Sequence, residues 1–549
     1  MKCAIITPPY IRPTGPPLGP AVLASYLKKK NPLVQVRNFD LNLAYYSTAL
    51  KAVQDGVVGI RLYNWDEETT AKRVKQAVRF LKSWDGTGPD IKLYHQWATI
   101  FQSFENIFNG FMSEMAQRWL FGLLIPDKIK TLFEEIVWPV LEFKPDLIGI
   151  SVLFDHQMVF GSLFAKLIKE RFTTKIVLGG AKFGVMVHPE RVFIEKWDCR
   201  IDKKKFSIRL TQLFDFLIPG EGEIALHALC ENIGSNDFSN VPNLIRQKNG
   251  NVQINPVEMI SDLNEIPEPD FDDFALTNYI NPVVVLPFLT SRGCPWARCT
   301  FCTHHHTYIK FRTLKIDECV RQIKALKKQY RTNYFYFYDE MIPADRFREF
   351  ARKLIDEDIG IYYGAYAKPV SKFDSRLLKQ IHQSGCRVFM WGVESASQRV
   401  LNLMRKGTKV HEMEEVLSES AKAGIMNLAF IMFGFPTETE EEFFLTLNFL
   451  ERNRANIHAL SKGKFVLTEG SLIHREPDRF SIVEIREKPY GNTFDKFLDY
   501  DVSKGLAPDR LAKLYKENFK RLQKTGLSSR FGSYREHLLV HAARQTPNS

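Results

Sequence analysis

No stretch of this chain approaches the ~20 consecutive apolar residues that a membrane span requires. Residues 1–10 carry no apolar run of the length a signal peptide needs. Internal repeats and low-complexity tracts are absent. No long block of Lys and Arg appears. Lys and Arg number 75 against 63 Asp and Glu, for a net charge of +12, yet acidic side chains are interleaved almost everywhere. This pattern reads as a solvated surface. It argues against a nucleic-acid or membrane partner and leaves an acidic or phosphorylated ligand open. Cysteine is scarce, at 8 among 549 residues. Cys3, Cys199, Cys230, Cys319 and Cys386 stand apart from one another and read as small packing residues, not a disulfide framework. A reducing, cytoplasmic setting is therefore expected. At ~100–200 residues per domain, two to four domains are expected.

What is present is alternation. Residues 3–7, 34–39, 147–153, 175–178 and 214–218 read as short buried strands separated by helical stretches, including 21–29 behind Pro20 and 159–171. Such alternation builds a parallel sheet with helices on both faces. Residues 42–143 interrupt it with aromatics at three- and four-residue spacing, too long for a loop, and read as a helical insertion. Residues 241–282 read as a hairpin around Asn249-Gly250 followed by a Pro-rich linker. A second block has strands at 283–290, 334–339, 361–367, 388–394, 428–435 and 464–468. Six β/α units fit an open, partial parallel barrel over 283–480. Residues 481–549 form a tail that becomes helical, with Leu511, Leu514, Tyr515, Phe519 and Leu522 on one apolar stripe that reads as a packing face.

Just past the first strand of the second block runs Ser291-Arg292-Gly293-Cys294-Pro295-Trp296-Ala297-Arg298-Cys299-Thr300-Phe301-Cys302. Its spacing is C-x4-C-x2-C. Three thiolates can hold three corners of an iron–sulfur cubane and leave the fourth iron open. The same residues could instead form a Cys3His zinc site with His304, His305 or His306. The histidines could also be surface residues, substrate contacts or proton donors. In parallel barrels, active groups gather at the carboxyl ends of the strands, where this loop falls.

Other strand-end features follow in order. They are Asn38-Phe39-Asp40-Leu41-Asn42, Ser151, Gly179-Gly180-Ala181, Gly220-Glu221-Gly222-Glu223, Asp339-Glu340, Gly392-Val393-Glu394-Ser395 and Gly434-Phe435-Pro436. Together with the cysteine loop, they resemble the cobalamin-dependent radical S-adenosylmethionine (SAM) enzymes, methyltransferase-like, over residues 1–475. The resemblance implies a Rossmann-like, doubly wound cobalamin-binding domain over 1–240, ahead of a partial (β/α)6 radical SAM barrel. It implies a [4Fe-4S] cluster on Cys294, Cys299 and Cys302. SAM would lie against Phe301, Asp339, Glu340, Glu394, Ser395, Gly434 and Pro436, and cobalamin against Gly19, Ser151, Gly179, Gly180, Gly220, Glu221 and Gly222. Read from the residues alone, Phe301 could be packing, Asp339 and Glu340 strand-end caps, and the glycines tight turns.

Two features depart from the family. Its usual first cysteine gap is three residues, and this loop has four. The D-x-H-x-x-G pattern, whose histidine ligates cobalt in many cobalamin proteins, is absent; His156 stands in Phe154-Asp155-His156-Gln157 instead. The reading favoured is a cobalamin-dependent C-methyltransferase on a peptide or small-molecule natural product, supplied with electrons by a flavodoxin or ferredoxin. The alternatives are radical SAM cyclisation, rearrangement or epimerisation without methyl transfer, and a non-catalytic iron–sulfur or zinc protein.

Overall fold

The computed structural model describes residues 1–86, 91–181, 213–235, 237–248, 251–304, 308, 310–487, 497–524 and 530–545. Cys199, His305, His306 and the Asn249-Gly250 turn lie outside them, as do the side chains of Phe519 and Leu522.

The first sheet holds β1 (Lys2–Thr7), β2 (Gln35–Asp40), β3 (Leu147–Ser151), β4 (Lys175–Gly179) and β5 (Phe216–Leu217), all parallel, in the order β2-β1-β3-β4-β5. Cys3, Ala4, Ile5 and Ile6 in β1 are all buried, as a strand covered on both faces requires. The expected hairpin, β6 (Ile245–Lys248) and β7 (Asn251–Ile254), pairs antiparallel onto β5 and extends this sheet. Between β2 and β3 the insertion forms four helices, Leu41–Gln54, Glu67–Ser83, Ile91–Leu120 and Asp127–Phe143. Asp40 and Asp66 cap the first two by accepting from Leu43 N and Thr69 N. Tyr45, Phe101, Phe104, Phe108 and Phe133 bury completely between the helices, which explains the aromatic spacing.

The second sheet is parallel and in chain order: β8 (Val285–Phe288), β11 (Tyr334–Phe337), β12 (Tyr362–Ala367), β13 (Cys386–Glu394), β14 (Met426–Phe433) and β15 (Ala459–Lys464). β8 and β15 are its two edges, so the barrel is open, as expected. A short antiparallel clasp, β9 (Ser291–Arg292) with β10 (Arg312–Thr313), follows β8.

The sixth strand differs from the sequence expectation of 464–468. Ala459 and Leu460, fully buried, pair with Leu428 and Ala429 and set β15 earlier. Leu467–Thr468 is instead β16, which joins β17 (Ile482–Glu487) and β18 (Phe497–Val502) in a separate antiparallel sheet. The tail is thus stranded before it turns helical at Pro508–Lys524. Leu511 and Leu514 bury there and Tyr515 packs beside them, the expected packing face.

Side chains on the barrel strands alternate. Phe337, Phe389, Trp391 and Ile431 pack toward the surrounding helices. Tyr336, Met390 and Leu428, with Tyr366 and Phe430, pack on the concave face against Tyr534, Leu538 and Leu539. The helix Arg535–Gln545 thereby fills part of the barrel's concave face.

Candidate active site

The cysteine loop is pinched at its base by the β9–β10 clasp. Gly293 lies at φ +86, and a Cβ there would sit 3.0 Å from the Lys310 carbonyl oxygen, so the turn needs glycine. Cys294, Cys299 and Cys302 are all partly exposed. Ala297 N donates to Cys294 Sγ at 3.5 Å and His304 N to Cys302 Sγ at 3.4 Å. Burial pushes the Cys302 thiol up to about 12, and the charges of Cys299 and Glu340 push the same way. Burial likewise raises Cys299. Bound iron would offset that penalty, since coordination deprotonates a thiol outright.

The fourth residue of the first gap is absorbed locally. Ala297 takes a left-handed φ of +45. Its neighbour Trp296 is fixed by Nε1 donating to Arg405 O at 2.8 Å and by the Lys368 ammonium 3.3 Å over its ring. Lys368 is pulled down to about 8 by burial and then by the Lys406 charge. Thr300 donates from N and Oγ1 to Met404 O and Leu403 O at 3.0 and 3.1 Å, so the loop leans on the turn after helix Gln398–Leu403. Among the described residues no three His, Cys, Asp or Glu stand close enough to chelate one metal ion. Thiolates around a cubane each bind a different iron and so are spread more widely. The donor set, three cysteines with N–H groups aimed at two of the sulfurs, fits such a cluster.

The other residues expected around SAM divide into two groups. Glu340 meets the loop: its carboxylate lies 3.0 Å from His304 Nδ1, and this bond raises the histidine's pKa. Glu394, at the end of β13, holds a left-handed φ of +64 where the register with β14 shifts, and it pairs with Lys406 at 2.8 Å. Strain of this kind in a non-glycine residue collects at functional positions. Gly434, at φ +76, donates N–H to Glu438 Oε2 at 2.5 Å, and Pro436 completes the turn. Phe301 is partly buried and packs against the barrel's hydrophobic core.

Asp339 and Ser395 turn away from the mouth. Asp339 accepts from Thr290 N, Thr290 Oγ1 and Ser291 Oγ, bracing the ends of β8 and β11. Ser395 is buried; its Oγ accepts from Ser397 N and lies 3.4 Å from Thr446 Oγ1. For Asp339 the strand-end cap describes the geometry, and Ser395, expected against SAM, is held within its own turn instead.

In the first sheet, Gly19 begins the helix Leu18–Lys30 beside Ser151 Oγ, 3.8 Å from where its Cβ would lie. Gly220, at φ +83, opens onto free space. Gly179 ends β4. Gly180 is needed for packing: at φ +108, a Cβ would lie 2.3 Å from the Val152 carbonyl oxygen. Gly222 caps the helix Glu223–Asn232. Beyond β3, Leu153 and Phe154 are 51% and 46% exposed, a bare apolar rim. His156 stacks on Tyr10 at 4.0 Å and on Phe154 at 5.5 Å.

Glu221 is engaged elsewhere. It pairs with Arg292 at 3.3 Å and with Arg312, while Glu223 pairs with Arg292 and Arg312 Nη1 donates to Ile260 O. All four side chains are nearly buried. This bridge fastens the turn after β5 to the clasp that frames the cysteine loop, so the carboxyl ends of the two sheets meet. Sequence reasoning missed Arg292, Arg312 and Lys406. The one local signal was an arginine directly before Gly293-Cys294.

Residues 288–450 match the Radical SAM superfamily. An uncharacterised methyltransferase of Pyrococcus horikoshii is 26% identical over 332 residues, 58% of this chain and 67% of that protein. The anaerobic magnesium-protoporphyrin IX monomethyl ester cyclase of Rubrivivax gelatinosus is 25% identical over 317 residues, 55% of this chain and 53% of its own. The chain thus spans about two thirds of one relative and about half of the other. In fold, the chain is similar to the cobalamin-dependent SAM radical enzyme OxsB, solved with aqua-cobalamin and SAM bound. The TM-score is 0.62 at 15% identity, covering 95% of this chain and 68% of that one. The expected architecture, an α/β domain ahead of a radical SAM barrel with a helical tail, is therefore present. No helix among the described residues is long and apolar enough to cross a membrane.

Proposed function

We propose that this chain is a cobalamin-dependent radical SAM methyltransferase that acts on an unactivated carbon of a peptide or small-molecule natural product. The observation that carries the reading is the bridge of Arg292 and Arg312 with Glu221 and Glu223, which turns the strand ends of the first sheet toward the cysteine loop. When bound, the cluster supplies the electron that cleaves SAM to a carbon radical, and cobalamin supplies the methyl group.

The chain's own residues hold and shield these groups. Cys294, Cys299 and Cys302 provide the thiolates, and the N–H groups of Ala297 and His304 steady two of them. Glu340 and Glu394 offer carboxylates at the barrel mouth for the ammonium and hydroxyl groups of SAM. Phe301 and the turn Gly434-Phe435-Pro436 flank its adenine, and Asp339 and Ser395 brace this set from behind. Gly220 leaves backbone open for cobalamin, Gly19, Ser151, Gly179, Gly180 and Gly222 shape the strand-end turns around it, and Leu153 and Phe154 offer an apolar rim for the corrin. Stacking of His156 between Tyr10 and Phe154 supports cobalamin held without a histidine ligand. A cytoplasmic flavodoxin or ferredoxin would deliver electrons.

The test is anaerobic reconstitution. About four iron and four sulfide and one cobalamin per chain are expected, with the SAM methyl label moving to product. Zinc in place of iron would end the proposal. A second reading, cyclisation or rearrangement without methyl transfer, is supported by the cyclase relative. SAM cleavage with no bound cobalamin and no labelled product would favour it.

A further inference from the structure

Two arginines that this protein covers are neutralised by carboxylates: Arg292 takes two glutamates, and Arg12 takes Glu105 at 3.2 Å. Arg535 stands on an aromatic face instead. It begins the helix Arg535–Gln545 on the barrel's concave face, is only partly exposed, and has no carboxylate within ion-pairing distance among the described residues. Nη1 donates to Tyr366 Oη on β12, and Nε donates to Gly532 O at 3.3 Å. The guanidinium carbon lies 5.7 Å from the Tyr366 ring and 5.2 Å from the Phe430 ring. Nη2 has no hydrogen-bond partner among the described residues. The adjacent acid, Glu536, is committed to Tyr338 Oη at 2.7 Å instead.

The surroundings are those of a binding floor. Tyr366 and Phe430 stack at 5.9 Å and 9°, and Tyr338, just past β11 and 38% exposed, continues the aromatic surface over the buried Tyr336. Tyr338 is two residues before Glu340, which meets His304 beside Cys302. The floor therefore leads to the cysteine loop. Pockets of this make-up, largely apolar with one directed polar group, orient small ligands. A planar guanidinium with a free N–H edge suits a carboxylate or phosphate.

We propose that Arg535 anchors an anionic group of the substrate, a carboxylate or a phosphate, on the Tyr366–Phe430 floor of the barrel. The proposal rests on the radical SAM reading given under the proposed function, and adds to it that the substrate occupies this concave face. Arg535 is a specificity-determining residue, and the substrate's apolar part would lie along the tyrosines toward the cysteine loop.

The test is calorimetric titration of the full, cluster-reconstituted chain with inorganic phosphate, pyrophosphate and succinate. Saturable one-site binding of a phosphate probe or of succinate is expected and identifies the anion class. It should weaken about tenfold or more in Arg535→Gln and stay unchanged in Lys128→Gln, an exposed surface control. Absence of saturable binding in the wild type, or equal binding in Arg535→Gln, overturns the proposal. Should Arg535→Gln not fold, phenylglyoxal labelling of the unmutated chain decides. Slower modification of Arg535 in the presence of the bound anion supports the site; unaltered modification refutes it. Iron content and SAM cleavage are read on the same samples. Intact cleavage without anion binding sinks this inference alone, whereas loss of both iron and cleavage sinks the functional reading instead.

Discussion

Replacing Arg292 with methionine tests the bridge between the two sheets. Arg292 is 9% exposed, Glu221 6% and Glu223 5%. Removing the cation leaves two buried carboxylates to share Arg312, and one oxygen of Glu223 already lacks a partner among the described residues. Breaking a buried pair from one side costs about 3–5 kcal/mol, because the remaining charge stays desolvated. A surface pair such as Lys372–Asp345 is worth about 0–1 kcal/mol. Arg292→Met should therefore lose about 3–5 kcal/mol in urea unfolding followed by circular dichroism. The triple variant Arg292→Met, Glu221→Gln, Glu223→Gln should recover much of that loss. Burial pushes the Glu223 carboxyl up, but Arg292 outweighs it and holds the group below its ordinary 4.5. A depressed carboxyl stabilises the fold above the unfolded value and loses that contribution as pH falls through the folded one. The difference between wild type and Glu223→Gln should accordingly shrink below pH 4.5. A loss under about 1 kcal/mol in Arg292→Met, the range of an exposed pair, would show that the bridge does not join the sheets.

Alanine at Cys294, Cys299 or Cys302 should each remove cluster absorbance and bring iron from about four per chain to near zero, as measured after anaerobic reconstitution. Retention of full iron in any of the three would remove that cysteine from the ligand set. Gly434→Ala should destabilise the chain by about 1–3 kcal/mol, since φ is +76 and its Cβ would lie 2.0 Å from Leu511 Cδ2. Adding Leu511→Ala should make the glycine substitution less costly, and a double-mutant cycle in urea checks the coupling. Burial pushes Glu438 up to about 8. Between 4.5 and 8 the folded chain holds a proton that the unfolded chain has lost, so stability should fall with rising pH by up to about 1.4 kcal/mol per unit. Glu438→Gln should flatten that slope in pH-dependent melting.

Much of the architecture was legible because parallel strands covered on both faces are written as continuous apolar runs. β1, β3 and the barrel strands through β14 fall within a few residues of where those runs lie. The sixth barrel strand was displaced because Phe465, Val466 and Leu467 form a more apolar run than Ala459–Lys464, although the latter has the pairing partner. The cysteine loop stood out by its spacing, which on its own left an iron–sulfur cluster and a zinc site both open. Asp339 and Glu340 were not separable in sequence: adjacent carboxylates at a strand end look alike, and only the hydroxyls of Thr290 and Ser291 decide which one turns inward. Glu221 was expected against cobalamin because its partner Arg312 lies 91 positions away and gives no local signal. Arg535 was invisible for the same reason, its hydroxyl partner Tyr366 being 169 positions distant.

The helix that lines the barrel's hollow also fixes an order of assembly. Arg12 Nη1 donates to Ser533 O across 521 positions, and Tyr534 Oη donates to Glu105 across 429. A ribosome making this protein emits every barrel strand before the residues that seal their inner side. The tyrosine-lined hollow must stay uncovered while the residues between Lys464 and Arg535 emerge, an interval in which a chaperone has something to grip. Cofactor loading that needs the finished hollow would come after that interval, once the late helix has docked.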